Sequence, residues 1–121
     1  MLLFLLVITF FNDAISKESY TLKSPNTKIS VDFWLKSSGE AFYSVSHSGS
    51  TILKQSKLGI IRSDDDFSAN LTLDSVSHVR VVTDKYTLLH GKRLKSSYTG
   101  NNQVFYLKNI NSKMIEIIFQ V

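Results

Sequence analysis

Period-two alternation is the feature that most constrains this chain. Ile29, Val31, Phe33 and Leu35 alternate with Lys28, Ser30, Asp32, Trp34 and Lys36. An extended backbone places successive side chains on opposite faces, so this segment predicts a strand with one oily face. Ala41, Tyr43 and Val45 alternate with Phe42, Ser44 and Ser46, and Val79 and Val81 with His78 and Arg80. Ile115, Ile117, Phe119 and Val121 alternate with Met114, Glu116, Ile118 and Gln120. No twelve-residue window carries a helical stripe. Turn residues punctuate these runs at Pro25-Asn26, Ser38-Gly39, Ser48-Gly49, Asp64 to Asp66 and Gly100-Asn101-Asn102, each the chemistry of a tight reversal. Short strands joined by successive hairpins predict an all-β fold, an antiparallel sandwich. The last alternating run reaches Val121 without a turn or a charged cap, which predicts a sandwich whose final strand has an open edge, an incomplete one.

Leu2 to Phe11 reads LLFLLVITFF. This run is half the ~20 residues a bilayer-spanning helix needs. It fits the apolar core of a signal peptide, with Ala14 and Ser16 as the small residues before a cleavage point at Lys17. The expected organisation is a signal peptide over residues 1–16 and a sandwich over 17–121, exported to the periplasm or beyond and not membrane-spanning. The chain has no cysteine, which removes disulfides, thiolate metal sites and a cysteine nucleophile. Small secreted eukaryotic domains lean on disulfides, so their absence favours a bacterial source. The formal net charge of +4 is spread along the chain, densest at Lys92, Arg93 and Lys95. A nucleic-acid partner calls for a continuous basic stripe with stacking aromatics, and none is expected here.

From Tyr20 onward an ordered set of segments resembles the N-terminal domain of the family 97 glycoside hydrolases, the bacterial α-glucosidase and α-galactosidase group. Ser24-Pro25-Asn26 precedes the first amphipathic run. Phe42-Tyr43-Ser44-Val45-Ser46 leads into Ser48-Gly49. Ser56-Lys57-Leu58-Gly59 is similar to the family's Ser-x-Leu-Gly segment, Phe67 to Val76 follows, and Gly91-Lys92-Arg93 resembles its Gly-x-Arg element. Met114 to Val121 looks like the strand that opens the next conserved stretch of that family. His90 stands where the family usually has Trp, and Tyr98-Thr99-Gly100 where it tends to have Tyr-Asn-Glu. The resemblance implies a mutarotase-like sandwich packed on a (β/α)₈ barrel that follows in the chain. In such enzymes the barrel carries the catalytic carboxylates and a calcium ion sits near the sugar. The implied role is to shape one wall of the pocket for an α-glucoside or α-galactoside, with no catalytic residue, metal ligand or cofactor supplied by this chain.

Residue chemistry agrees with that inactive role. Glycoside hydrolysis needs two carboxylates across a sugar, ~5–5.5 Å apart for retention or ~6.5–9.5 Å for inversion. Asp64, Asp65 and Asp66 form the one acidic cluster, but consecutive residues do not reproduce a spaced calcium loop, and a solvated turn is expected. His47, His78 and His90 have no metal-ligand spacing and no paired nucleophile. Trp34 falls on the face opposite Val31 and Phe33 and supports two readings. With Tyr20, Tyr43, Tyr86, Tyr98 and Tyr106 it is a stacking surface for sugar, which makes the chain a free-standing carbohydrate-binding module. Alternatively it packs beneath a neighbouring loop or domain.

Overall fold

The structure is a computed structural model, and it describes residues 18–91 and 95–121. Eight strands are present: β1 (Ser19–Lys23), β2 (Ile29–Leu35), β3 (Ala41–His47), β4 (Ser50–Leu58), β5 (Thr72–Val76), β6 (Arg80–Thr87), β7 (Lys95–Lys108) and β8 (Met114–Gln120). They form two antiparallel sheets and no helix among the described residues. The fold is an all-β sandwich, as the alternation predicts. The segment expected to be a signal peptide lies outside the described residues.

The first sheet is a meander, β1-β2-β3-β4, each strand bonded to the next. Its register pairs Leu22 with Val31, Tyr20 with Phe33, Phe33 with Tyr43 and Leu35 with Ala41. Paired residues share a face, so the apolar stripes of three strands merge into one patch. In the second sheet β7 is the hub. Its second half pairs with β5 and β8, and its first half with β6. The two sheets meet through Phe33, Ala41, Phe105 and Leu107, joined by Phe67 and Leu71 from the connection between them. The Phe33 and Phe105 rings lie 4.4 Å apart across the sandwich. Phe119 is 5.7 Å from Phe33 and 5.9 Å from Phe105, and Tyr20 meets Phe105 edge-on at 5.3 Å. Each such side chain contributes ~1.5–3 kcal/mol on burial.

Two sequence expectations are corrected. Gly100-Asn101-Asn102 is not a turn but the middle of β7. Gly100 pairs with Val82, and Asn101 exchanges backbone bonds with Val121 while its side-chain amide donates to the Lys23 carbonyl at 2.7 Å. These polar residues satisfy neighbouring strands instead of reversing the chain. Val79 and Val81 form no oily face: Val81 is 70% exposed, because the part of β6 it occupies has no opposing sheet to cover it. The reversal between β7 and β8 is instead at Asn109 to Lys113, where Ser112 takes a positive φ of 59°.

Candidate functional site

The acidic turn is a clamp between the two halves of the molecule. Asp64 accepts a hydrogen bond from the Arg62 guanidinium at 2.9 Å. Asp66 Oδ1 accepts from the backbone N–H of Ser68 at 2.7 Å, closing an Asx turn. Asp65 Oδ1 accepts from the side-chain amides of Asn109 and, at 3.1 Å, Asn111, which belong to the β7–β8 turn. Asn109 is 6% exposed. Its Oδ1 accepts the backbone N–H groups of Asn111 and Lys113, and its Nδ2 also donates to the Asp66 carbonyl at 3.2 Å. Bonds from Asn111 and Asn109 hold the Asp65 carboxyl below its usual range, and bonds from Ser68 do the same for Asp66. Three neighbouring carboxylates thus serve three different sets of partners. They do not converge as calcium ligands, and no group of three or more acidic or histidine side chains among the described residues is arranged to hold a metal ion. Asn109 was not legible as a partner: its only signal is the Asn-Ile-Asn-Ser string between two apolar runs.

The other singled-out residues stay apart. His47 ends β3, His78 lies between β5 and β6, and His90 follows β6, so they occupy three separate places in the fold. Trp34 is 8% exposed. It lies over its cross-strand neighbour Phe42, ring centroids 6.2 Å apart and 17° from parallel, and the Lys36 ammonium sits 4.0 Å above the Phe42 ring. A buried indole offers no face to a sugar, which removes Trp34 from the stacking surface expected of a free-standing binding module. Tyr20 and Tyr43 turn inward, against Phe105 and Phe119. The Tyr20 hydroxyl donates to Glu18 at 2.5 Å, which with partial burial pushes its pKa up to about 12. Tyr98 accepts from the Gln120 amide. Tyr86 and Tyr98 remain exposed on the β6–β7 ribbon, while Tyr106 is half-buried on β7.

An apolar cleft of about 200 Å³ lies between the sheets, on the side where β4 and β8 are the last strands. Ala41, Leu58, Phe67, Leu71, Ile115 and Ile117 line it. Gly59 shapes its rim. There φ is +154°, and a Cβ would stand 2.8 Å from the Ser68 Cα, so only glycine lets the chain leaving β4 pass this close. The sandwich is closed by Tyr20 and Phe105 near β1 and open here, with core side chains reaching the opening.

The family model described as Glycosyl-hydrolase 97 N-terminal matches residues 22–121. The chain belongs to this family. Among solved structures it is similar to a β-arabinopyranosidase, with 28% identity and a TM-score of 0.77 over 84% of this chain. A Glycoside Hydrolase Family 97 enzyme from Pseudoalteromonas sp. strain K8, solved in complex with panose and with acarbose, shares 17% identity at a TM-score of 0.70. The chain spans 16% of the first of these and 15% of the second. No curated protein matches it. Within this family-97 N-terminal domain, the Ser-x-Leu-Gly segment is the end of β4 and the Gly59 rim of the cleft. Lys92 and Arg93 of the Gly-x-Arg element fall outside the described residues. No helix among those described is long and apolar enough to cross a membrane.

Proposed function

We propose that this chain is the non-catalytic N-terminal sandwich portion of an exported family 97 glycoside hydrolase. It packs on a (β/α)₈ barrel in cis and forms one wall of the barrel's sugar pocket. The observation that carries this reading is the family match over residues 22–121, set beside solved relatives of which the chain spans about a sixth. The apolar cleft lined by Ile115 and Ile117 supports it as a surface suited to further chain. The engagement of Asp64, Asp65 and Asp66 in local bonds supports the inactive role, since a glycosidase carboxylate must be free to face a sugar. The substrate class of the whole enzyme is an α-glucoside or α-galactoside. The barrel supplies the catalytic carboxylates and the calcium site. Export, to the periplasm or the medium of a bacterium, belongs to the same reading and rests on the apolar Leu2–Phe11 run.

The 121-residue chain should release no sugar from aryl α-glucosides or α-galactosides, with or without calcium. Turnover that vanishes in Asp65→Asn would overturn the non-catalytic role. A reading frame continuing past Val121 into a barrel with spaced carboxylates would support the in-cis arrangement. N-terminal sequencing of protein from the cell envelope should begin at or near Lys17, and an intact Met1 there would sink export.

A further inference from the structure

The β6–β7 ladder gathers four hydrogen-bond donors onto one face. Its register sets Lys85 opposite Ser97 and Thr87 opposite Lys95. Paired residues share a face, as do residues two apart along a strand. The two ammonium groups therefore occupy one diagonal of a quadrilateral, and the two hydroxyls occupy the other. Thr83 and Thr99 continue the same face, their hydroxyls 3.1 Å apart. Asp84 is out of phase with Lys85, so it projects from the opposite face beside its partner Tyr98. The donor face thus carries no carboxylate between Thr83 and Thr87 or between Lys95 and Thr99.

Lys57, Arg62 and Lys108 are each neutralised by a carboxylate, of Glu40, Asp64 and Asp74. Lys85 and Lys95 have no such partner among the described residues. Both are exposed, and with Tyr86, Thr87, Ser96 and Ser97 they line a concavity of about 260 Å³. Diagonal neighbours on adjacent strands lie ~7–8 Å apart. One oxyanion bridges such a gap, with a charge-assisted bond to each ammonium. The quartet belongs to a single strand pair, so the β6–β7 register alone sets its make-up.

We propose that this face binds the acid group of an anionic glycan, a uronate carboxylate or a sulfate ester, between Lys85 and Lys95. The ammonium groups take the charge. The Thr87 and Ser97 hydroxyls bond a further acid oxygen or a ring hydroxyl of the same sugar, and Thr83 and Thr99 present hydroxyls to the next sugar along the ribbon. The anion site follows from the four donors. That the anion is carried by a sugar rests on the chain's membership of a glycoside hydrolase family. The site reads the acid group and not the glycosidic bond, so its occupancy is independent of catalysis by the barrel.

Isothermal titration of the 121-residue chain tests this with four probes: a galacturonic-acid oligosaccharide, a sulfated maltooligosaccharide, its unsulfated counterpart and inorganic phosphate. At least one acidic oligosaccharide should bind, and the one that binds identifies the acid group. Its affinity should fall as salt is added, because exposed charges are screened. Lys85→Gln and Lys95→Gln should each weaken binding on the order of tenfold at low salt, since each removes a bond to a charged group. Lys85→Arg should retain binding, and Lys54→Gln on β4 should leave it unchanged. Both lysines are exposed, so the unfolding midpoints of these variants should match the wild type. Failure of both acidic probes to bind would overturn the proposal. So would a neutral oligosaccharide or phosphate binding as tightly as they do, or an equal loss in Lys54→Gln. The glycosidase reading is tested separately, by sugar release from the enzyme encoded by a continuing frame, so the two can fail independently.

Discussion

β7 is one strand with two environments. Its second half, Val104 to Lys108, lies between β5 and β8 and beneath the first sheet, and there Phe105 and Leu107 are almost fully buried. Its first half pairs residue by residue with β6 from Lys95 to Asn102, yet most side chains of that ribbon are exposed. The ladder to β6 is unbroken, whereas the packed half carries a register shift against β5. The difference teaches that ladder hydrogen bonds organise a strand but do not by themselves exclude water. Burial requires an opposing layer, and the first sheet reaches only half of β7.

The strongest test of that contrast is Phe105→Ala, which removes the ring that meets Phe33, Tyr20 and Phe119. It should cost ~3–5 kcal/mol, read by urea unfolding followed through Trp34 fluorescence. A loss below about 1 kcal/mol would mean the packed half is no core at all. Next in size, Asn109→Ala removes the buried amide that ties the packed end of β7 to the acidic turn. It should destabilise by ~1–3 kcal/mol in the same assay, because the Asp65 carboxylate and two backbone N–H groups lose their partner.

The clamp also predicts a pH dependence. The Asp65 carboxyl is held below its usual 3.8 by Asn111 and Asn109. A depressed folded-state pKa contributes stability that is full above the unfolded value and lost as pH falls through the folded one. Thermal midpoints should therefore drop on acidification from neutrality to below the usual aspartate range, and Asp65→Asn should drop less. An identical acid profile in both proteins would show that the clamp does not depend on charge. The smallest effect is expected on the ribbon: Val81→Thr should change stability by no more than ~0.5 kcal/mol, and a larger loss would reveal cover over the exposed half.

Much of the packed region was legible because period-two alternation reports a one-sided burial. Val31, Phe33, Ile115, Ile117 and Phe119 all lie on the face their alternation predicts. The ribbon was not legible, since Val79 and Val81 alternate equally well and only the reach of the opposing sheet decides their fate. Trp34 was ambiguous for a related reason. Its position on the strand gave its face, but the stacking on Phe42 depends on which strand lies alongside. The turn at Asp64 to Asp66 was readable from composition, whereas its partner Asn109 is contributed by a distant reversal. Polar residues inside β7 carry the signature of a reversal because Gly-Asn-Asn satisfies local turn chemistry as readily as it satisfies neighbouring strands.

The meander of the first sheet bears on the order in which the molecule is made. Every hydrogen-bonded neighbour in β1-β2-β3-β4 is also the neighbour in sequence, so its ladder is complete once Leu58 has been synthesised. Phe33 and Ala41 then lie on a finished sheet with no cover until Phe105 and Leu107 emerge. For a chain that is threaded from its N-terminus, this is an interval of formed structure with a bare oily face. A chaperone or translocation channel that keeps the chain extended would shorten that interval by delaying the first sheet until the second is within reach.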